Sequence, residues 1–190
     1  MPHALILASS SQTRKDLMNR LNLDYQAISP DINEQPQGES HADDLARRLA
    51  FEKAKAISQI HPEAIVIGSD QVAWRSDAPD VFIGKPLSID SAILQLQAHA
   101  NQILCFSTAL SVQQQSSGFE RTLVEHYQVK FRDLSQAEIE RYVELEQPLH
   151  CAGSFKCEGS CVLLLDSLSL ILRYPAHKSF LQISRFHQHL

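Results

Sequence analysis

Little in this chain is basic, glycine-rich or long and apolar, and each shortage closes off a class of function. Its 190 residues carry 17 Lys and Arg against 22 Asp and Glu, a formal net charge of −5. That balance argues against bulk electrostatic binding of nucleic acid and leaves room for a local basic pocket. The longest apolar candidate, Val162 to Leu172, is interrupted by Asp166, Ser167 and Ser169, so no stretch is predicted to cross a bilayer. The opening Met-Pro-His-Ala-Leu-Ile-Leu-Ala-Ser lacks the charged start and long apolar run of an export signal. Cys105, Cys151, Cys157 and Cys161 show neither C-x-x-C pairs nor zinc-finger spacing. Reduced thiols and a cytoplasmic location are therefore expected. The nine histidines are scattered, with His187 and His189 in the terminal tail, and they form no metal motif. Internal repeats and an interdomain linker are also missing. What is present is an ordinary globular composition, 44% hydrophobic and 21% charged. It predicts one domain over residues 1–190, with two lobes sharing a sheet.

Ile65-Val-Ile-Gly-Ser-Asp-Gln-Val72 is the stretch around which the chain is organised. Its β-branched run predicts a buried strand that Gly68 ends, delivering Ser69, Asp70 and Gln71 at the strand's carboxyl end. A Gly-Ser-Asp sequence is equally ordinary turn chemistry. Upstream, Ala4 to Leu7 reads as a short strand, and the serines Ser9, Ser10 and Ser11 open a helix with Leu17, Met18 and Leu21 on one face. The free N–H groups at such a helix start suit an anion. Arg14 sits on that first turn, where the helix dipole disfavours a cation unless an anion is there too.

Asp24 to Ile28 predicts a second strand, and Ser29 to Ser40 a polar loop with Asp31 and Glu34. Ser40 then introduces a helix whose apolar stripe runs Leu45, Leu49, Ile57 and Ile60, with Lys53 on the same stripe and Glu52 beside it. A lysine so placed either snorkels to an edge or meets a polar cavity. Arg75 to Val81 reads as a polar turn before Gly84-Lys85-Pro86, which is no Walker motif. Ser88 caps a helix with Ile89, Ala92, Ile93, Leu96 and Ala100 inward. Alternation from Leu104 to Val112 and from Leu123 to Phe131 predicts an antiparallel hairpin. Ser135-x-x-Glu138 is a capping box.

Arg14, Lys53, Lys85 and Lys156 are thus cations beside turns or helix ends, with the carboxylates Glu34, Glu52 and Asp70 among them. Cations grouped with hard oxygen ligands suit a polyphosphate bound with a divalent metal. The order of these pieces resembles the Maf-like nucleoside triphosphate pyrophosphatases. The matching segments are Leu5-Ile-Leu-Ala-Ser-Ser-Ser-x-x-Arg14, Asn33-Glu34, Glu52-Lys53-Ala54, Gly68-Ser-Asp-Gln-Val72, Gly84-Lys85-Pro86 and Cys151-Ala-Gly-Ser-Phe-Lys-Cys-Glu-Gly159, spanning about residues 4 to 159.

The resemblance implies an α/β fold with a curved mixed sheet between two lobes and the active site in the cleft. It implies hydrolysis of a nucleoside triphosphate to the monophosphate and pyrophosphate, with a divalent cation, Mg²⁺ or Mn²⁺, and a homodimer. Carried across, Asp70 is the proton acceptor; Ser9, Arg14, Lys53 and Lys85 hold the triphosphate; Glu34, Glu52 and Asp70 serve the metal. Thr13, Gln71 and Glu158 match the positions that tune base choice. Gln71 and the Ser-Phe-Lys-x-Glu-Gly segment resemble the 7-methyl-GTP branch; the dTTP/UTP branch and a non-catalytic nucleotide-binding regulator of cell division are the alternatives. A methylated guanine is cationic and presents donors, which Glu158 would complement, and Phe155 would offer a ring face. Thr13 stands where a large aromatic is expected. Beyond Gly159 the pattern Gly-Leu-Gly and Gly-Leu-Pro-Leu is missing, so residues 160–190 are expected to be a shifted reading frame or a diverged ending that still forms an apolar strand over Val162 to Leu172.

Overall fold

The computed structural model describes residues 4–157 and 159–171, with side chains as far as residue 167. Alternating short strands and helices open the chain: β1 (Leu5–Ala8), α1 (Gln12–Arg20), β2 (Gln26–Ile28) and α2 (Ala42–Ser58). Next come β3 (Ile65–Arg75), β4 (Ala78–Ile83), α3 (Ile89–His99), β5 (Ile103–Gln114), β6 (Phe119–Phe131) and α4 (Gln136–Glu146). Two 3-10 turns, Ala152–Ser154 and Ser160–Leu164, lead into β7 (Leu165–Ile171). The seven strands form one mixed sheet in the order β2-β1-β3-β5-β6-β7, with β4 paired to β3 off that path. β1 is parallel to β2 and β3, and the remaining pairings are antiparallel. The fold is therefore mixed α/β, as the alternation of periods predicts. No helix of the described residues is long and apolar enough to cross a membrane.

The two faces of the sheet carry different cores. On one face, Ala42, Leu45, Ala46, Leu49 and Ala50 of α2 pack on Val72 and Ala109. Farther along the same helix, Ala54 and Ile57 meet Ile6, Ala8 and Val66. On the other, Ala73, Leu104, Phe106, Val129 and Phe131 pack against α3 and α4 through Ala92, Leu96, Ile139 and Val143. Period-two alternation along β3 therefore sends neighbouring residues into different environments.

Gly68 does not end its strand; β3 runs through it to Arg75. Its role is to let α2 approach. A Cβ at position 68 would lie 2.3 Å from the Ala50 carbonyl oxygen and 2.6 Å from the Ala54 nitrogen. The fully buried row Ala46, Ala50 and Ala54, spaced four residues apart, completes that contact from the helix side.

Several expectations change in detail. Arg75 to Val81 is mostly strand: β3 and β4 form a hairpin about Ser76 and Asp77, because the alternating segment around Val81 pairs back on Trp74 and Ala73. On α1 only Met18 is buried, while Leu17 and Leu21 face solvent. Helix α2 starts one residue later than a Ser40 cap implies, with His41 at the cap position and Ile60 beyond the helix, exposed. Along β5 the alternating row from Leu104 to Val112 is buried at Leu104 and Phe106 only, Leu110 being exposed, while Ala109, Ser111 and Gln113 on the other face are buried. Val162 and Leu163 lie in the 3-10 turn and are exposed, so the last strand begins at Leu165. Of the ending expected to be altered, residues 160–190, the part from 172 on lies outside the described residues.

Candidate functional site

β1 stops at Ala8, opposite Gly68, while β3 continues. The chain leaving β1 turns at once into α1, and Ser11 caps that helix by accepting from the Arg14 backbone N–H at 3.5 Å. Ser9 Oγ accepts from the Ser11 N–H at 3.1 Å and from the Arg14 guanidinium at 3.4 Å. No acidic residue occupies the first turn of α1. Arg14 is instead answered from across the cleft: Asp70 and Glu34 favour its charge, although burial outweighs them and pulls the guanidinium below its ordinary value.

Helix α2 supplies the centre of the cluster. Lys53 lies one turn beyond Leu49 on the apolar row, and Gly68 lets that row sit close over β3. Its ammonium, 5% exposed as a residue, neither snorkels outward nor lies unpaired. Nζ stands 2.5 Å from Asp70 Oδ1 and 2.8 Å from Glu34 Oε1. Glu34 comes from the loop after β2. Burial raises its carboxyl, but the Lys53 hydrogen bond and the charges of Lys53, Lys85 and Arg14 prevail and hold it below the usual range. Lys85, exposed just after β4, thus completes a group of three cations around two carboxylates. Ser9, Arg14, Glu34, Lys53, Lys85 and Asp70 are the sequence-predicted residues that come together.

Others are placed elsewhere. Glu52 pairs with Arg48 at 3.0 Å, and Arg48 also holds Glu39 and the Gln35 carbonyl, so this carboxylate braces the arginine that pins the 29–40 loop and makes no hydrogen bond or ion pair with Lys53 or Asp70 among the described residues. Thr13 is exposed on α1. Lys156 binds Glu146, away from the cluster. Phe155 is buried, its ring 5.8 Å from Phe106 and 5.9 Å from Phe131, so the expected ring face for a base is enclosed in the core. Glu158 lies outside the described residues.

Gln71 follows Asp70 but points to the opposite face. Asp70 pairs with Ala109 beneath α2, whereas Gln71 pairs with Thr108. Its Nε2 donates to Thr108 Oγ1 and to Tyr127 Oη, each at 3.0 Å. On the edge of β3 away from β5, β1 pairs as far as Gly68 and β4 only from Ala73. Ser69 to Val72 therefore has no strand partner on that edge among the described residues. Thr108 and Tyr127 escaped sequence reasoning because cross-strand register, which no local pattern specifies, brings them to Gln71.

The donor set also bears on a divalent cation. Among the described residues no cluster of three or more His, Cys, Asp or Glu exists that would cage one. Two carboxylates, Glu34 and Asp70, converge on one point at Lys53, which fits the hard cation that takes one or two carboxylates and completes its shell with phosphate oxygens. Glu52, engaged by Arg48, is not in this set.

Comparison with known proteins shows the family. A model of the family described as Maf-like protein matches residues 4–169, ten residues past Gly159. A protein of Acinetobacter baylyi named nucleoside triphosphate pyrophosphatase is 66% identical over 164 residues, 86% of this chain and 83% of its own length. One of Alcanivorax borkumensis named 7-methyl-GTP pyrophosphatase is 43% identical over 86% of this chain and 82% of its own. A HAM1 protein from Coxiella burnetii is similar in structure at a TM-score of 0.46 and 18% identity, over 68% of this chain and 73% of that one, a likeness too slight to carry weight.

Proposed function

The chain belongs to the Maf-like protein family, and from that premise we propose that it hydrolyses a nucleoside triphosphate to the monophosphate and pyrophosphate. The observation that carries the reading is the Lys53–Asp70–Glu34 cluster within reach of Arg14 and Lys85. Three cations supply the charge that a triphosphate needs, and Ser9 with the start of α1 adds neutral donors. Lys53 holds Oδ1 of Asp70; Oδ2 has no hydrogen bond among the described residues and is free to accept a proton from water. Attack on the α-phosphorus then expels pyrophosphate, whose developing charge Arg14, Lys53 and Lys85 neutralise. A bound Mg²⁺ or Mn²⁺, held by Glu34, Asp70 and phosphate oxygens, would supply further charge neutralisation at the phosphates.

For the base, we infer 7-methylguanine, which makes the physiological role removal of modified nucleotides from the cytoplasmic pool. Relatives at 40–43% identity carry the name 7-methyl-GTP pyrophosphatase, and the 66% relative carries the general one. The resemblance of Gln71 and of the Ser-Phe-Lys-x-Glu-Gly segment to the 7-methyl-GTP branch favours that base over those of dTTP or UTP. Incubation with 7-methyl-GTP, GTP, dTTP and UTP and separation of products tests both levels. Pyrophosphate and 7-methyl-GMP are expected. Single phosphates would overturn the mechanism, and equal or better turnover of UTP would overturn the base assignment.

A further inference from the structure

Gln71 is anchored by one end of its amide. The nitrogen lies 3.0 Å from each of two hydroxyl oxygens, Thr108 Oγ1 on β5 and Tyr127 Oη on β6, reached across two successive strand pairings. Tyr127 is itself fixed, its ring stacked on the buried Phe106 at 4.6 Å with an interplanar angle of 12°. The other end of the amide, Oε1, accepts no hydrogen bond among the described residues and is not among the buried polar atoms left without a partner, so it keeps solvent exposure, on the stretch of β3 from Ser69 to Val72 that has no strand partner on its other edge among the described residues.

We propose that Thr108 and Tyr127 are positioning residues for base selection: they draw the Gln71 nitrogen inward and so present only its carbonyl oxygen to the nucleotide. This rests on the pyrophosphatase reading for the existence of a base at that edge. An amide free to rotate could donate as well as accept, and would read the acceptors N7 and O6 of ordinary guanine as readily as a donor. With both N–H groups engaged, Gln71 offers a partial negative charge alone. That favours a base edge bearing N–H donors and positive charge, and it offers nothing to an unmethylated N7. Methylation at N7 removes that acceptor and adds the charge, so the anchored amide discriminates in the direction that 7-methylguanine requires.

The test reads base binding apart from chemistry, by calorimetric titration of 7-methyl-GMP, GMP and UMP into wild type, Thr108→Ser and the double variant Thr108→Val/Tyr127→Phe. Losing two anchoring hydrogen bonds should weaken 7-methyl-GMP binding about 5- to 20-fold and bring the three Kd values together, while Thr108→Ser, which keeps a hydroxyl, retains the wild-type preference. Gln71→Glu, an acceptor in either orientation, should bind 7-methyl-GMP better than Gln71→Leu. Undiminished preference in the double variant, absence of any preference in wild type, or equal losses in Gln71→Glu and Gln71→Leu overturns the proposal. A wild-type preference for UMP that collapses in the double variant would support the positioning role while removing the 7-methylguanine assignment. Failure to release pyrophosphate from any triphosphate would remove the activity and leave these binding outcomes decisive.

Discussion

Lys53 and Asp70 form a buried ion pair at 2.5 Å between the middle of α2 and a strand edge that has just lost its neighbour. The pair is structural and chemical at once. It fixes the helix over the strand, and it leaves one carboxylate oxygen of Asp70 without a hydrogen bond among the described residues. Removing either member has different consequences.

Asp70→Asn keeps shape and hydrogen bonding to Lys53 but takes away the proposed proton acceptor. Turnover should fall about 10²- to 10⁴-fold with little change in fold. Lys53→Met should lower both activity and stability, the latter by about 3 kcal/mol, since it strands a buried carboxylate. Pyrophosphate release and urea unfolding measured on both variants separate the two effects. An active Asp70→Asn protein would sink the assignment of Asp70.

Glu34 and Glu52 lie close in sequence to the same site but should behave differently. Glu34→Gln is expected to raise the Mg²⁺ or Mn²⁺ concentration for half-maximal activity about tenfold or more. Glu52→Gln loses only its pairing with Arg48 and should change that concentration little. Metal titration of each variant, after chelation has abolished activity, provides the comparison; equal shifts would return Glu52 to the metal set.

Gly68→Ala places a methyl group 2.3 Å from a backbone oxygen and 2.6 Å from a backbone nitrogen of α2. Neither atom belongs to a side chain that can move aside. A loss of about 1–3 kcal/mol or more is expected, and because the helix must lift, Lys53 should lose its grip on Asp70 as well. Thermal unfolding and kcat measured together should fall together.

His99 gives a pH dependence of stability unrelated to catalysis. It is 1% exposed, its ring nitrogens make no hydrogen bond of good geometry among the described residues, and burial, helped by the Arg75 charge and only partly opposed by the Gly153 backbone, lowers its pKa from 6.5 to about 4. Below pH 6.5 the unfolded chain takes up a proton that the folded one refuses, so stability falls as pH drops from 6.5 toward 4 and is complete above 6.5. The shift corresponds to about 3 kcal/mol. Urea unfolding at pH 7.5 and 4.5 should show a smaller difference in His99→Leu than in wild type.

The sequence made the α/β class legible because hydrophobic period and caps are local: Ser88, Ser135 and the runs of β1, β5 and β6 all fall where expected. The phosphate-side cluster was legible because its members break local rules, Arg14 at a helix start and Lys53 on an apolar row. Gly68 was misread since a glycine demanded by a helix passing overhead looks the same in one dimension as one that ends a strand. Phe155, Glu52 and the Thr108–Gln71–Tyr127 set depended on tertiary contacts and strand register, which leave no periodic trace.

The alternation along β3 has a consequence for how such a protein changes over time. Asp70 and Gln71 are covalent neighbours, yet one belongs to the α2 face and the other to the Thr108–Tyr127 face. If Gln71 reads the base as proposed, substitutions at 71 can retune which base is accepted without disturbing the surroundings of Asp70. Loss or gain of a single residue between Gly68 and Asp70 would do the reverse, turning the carboxylate toward Tyr127 and the amide toward Lys53. Reaction and selectivity can therefore drift independently through point changes, while the length of this strand is locked.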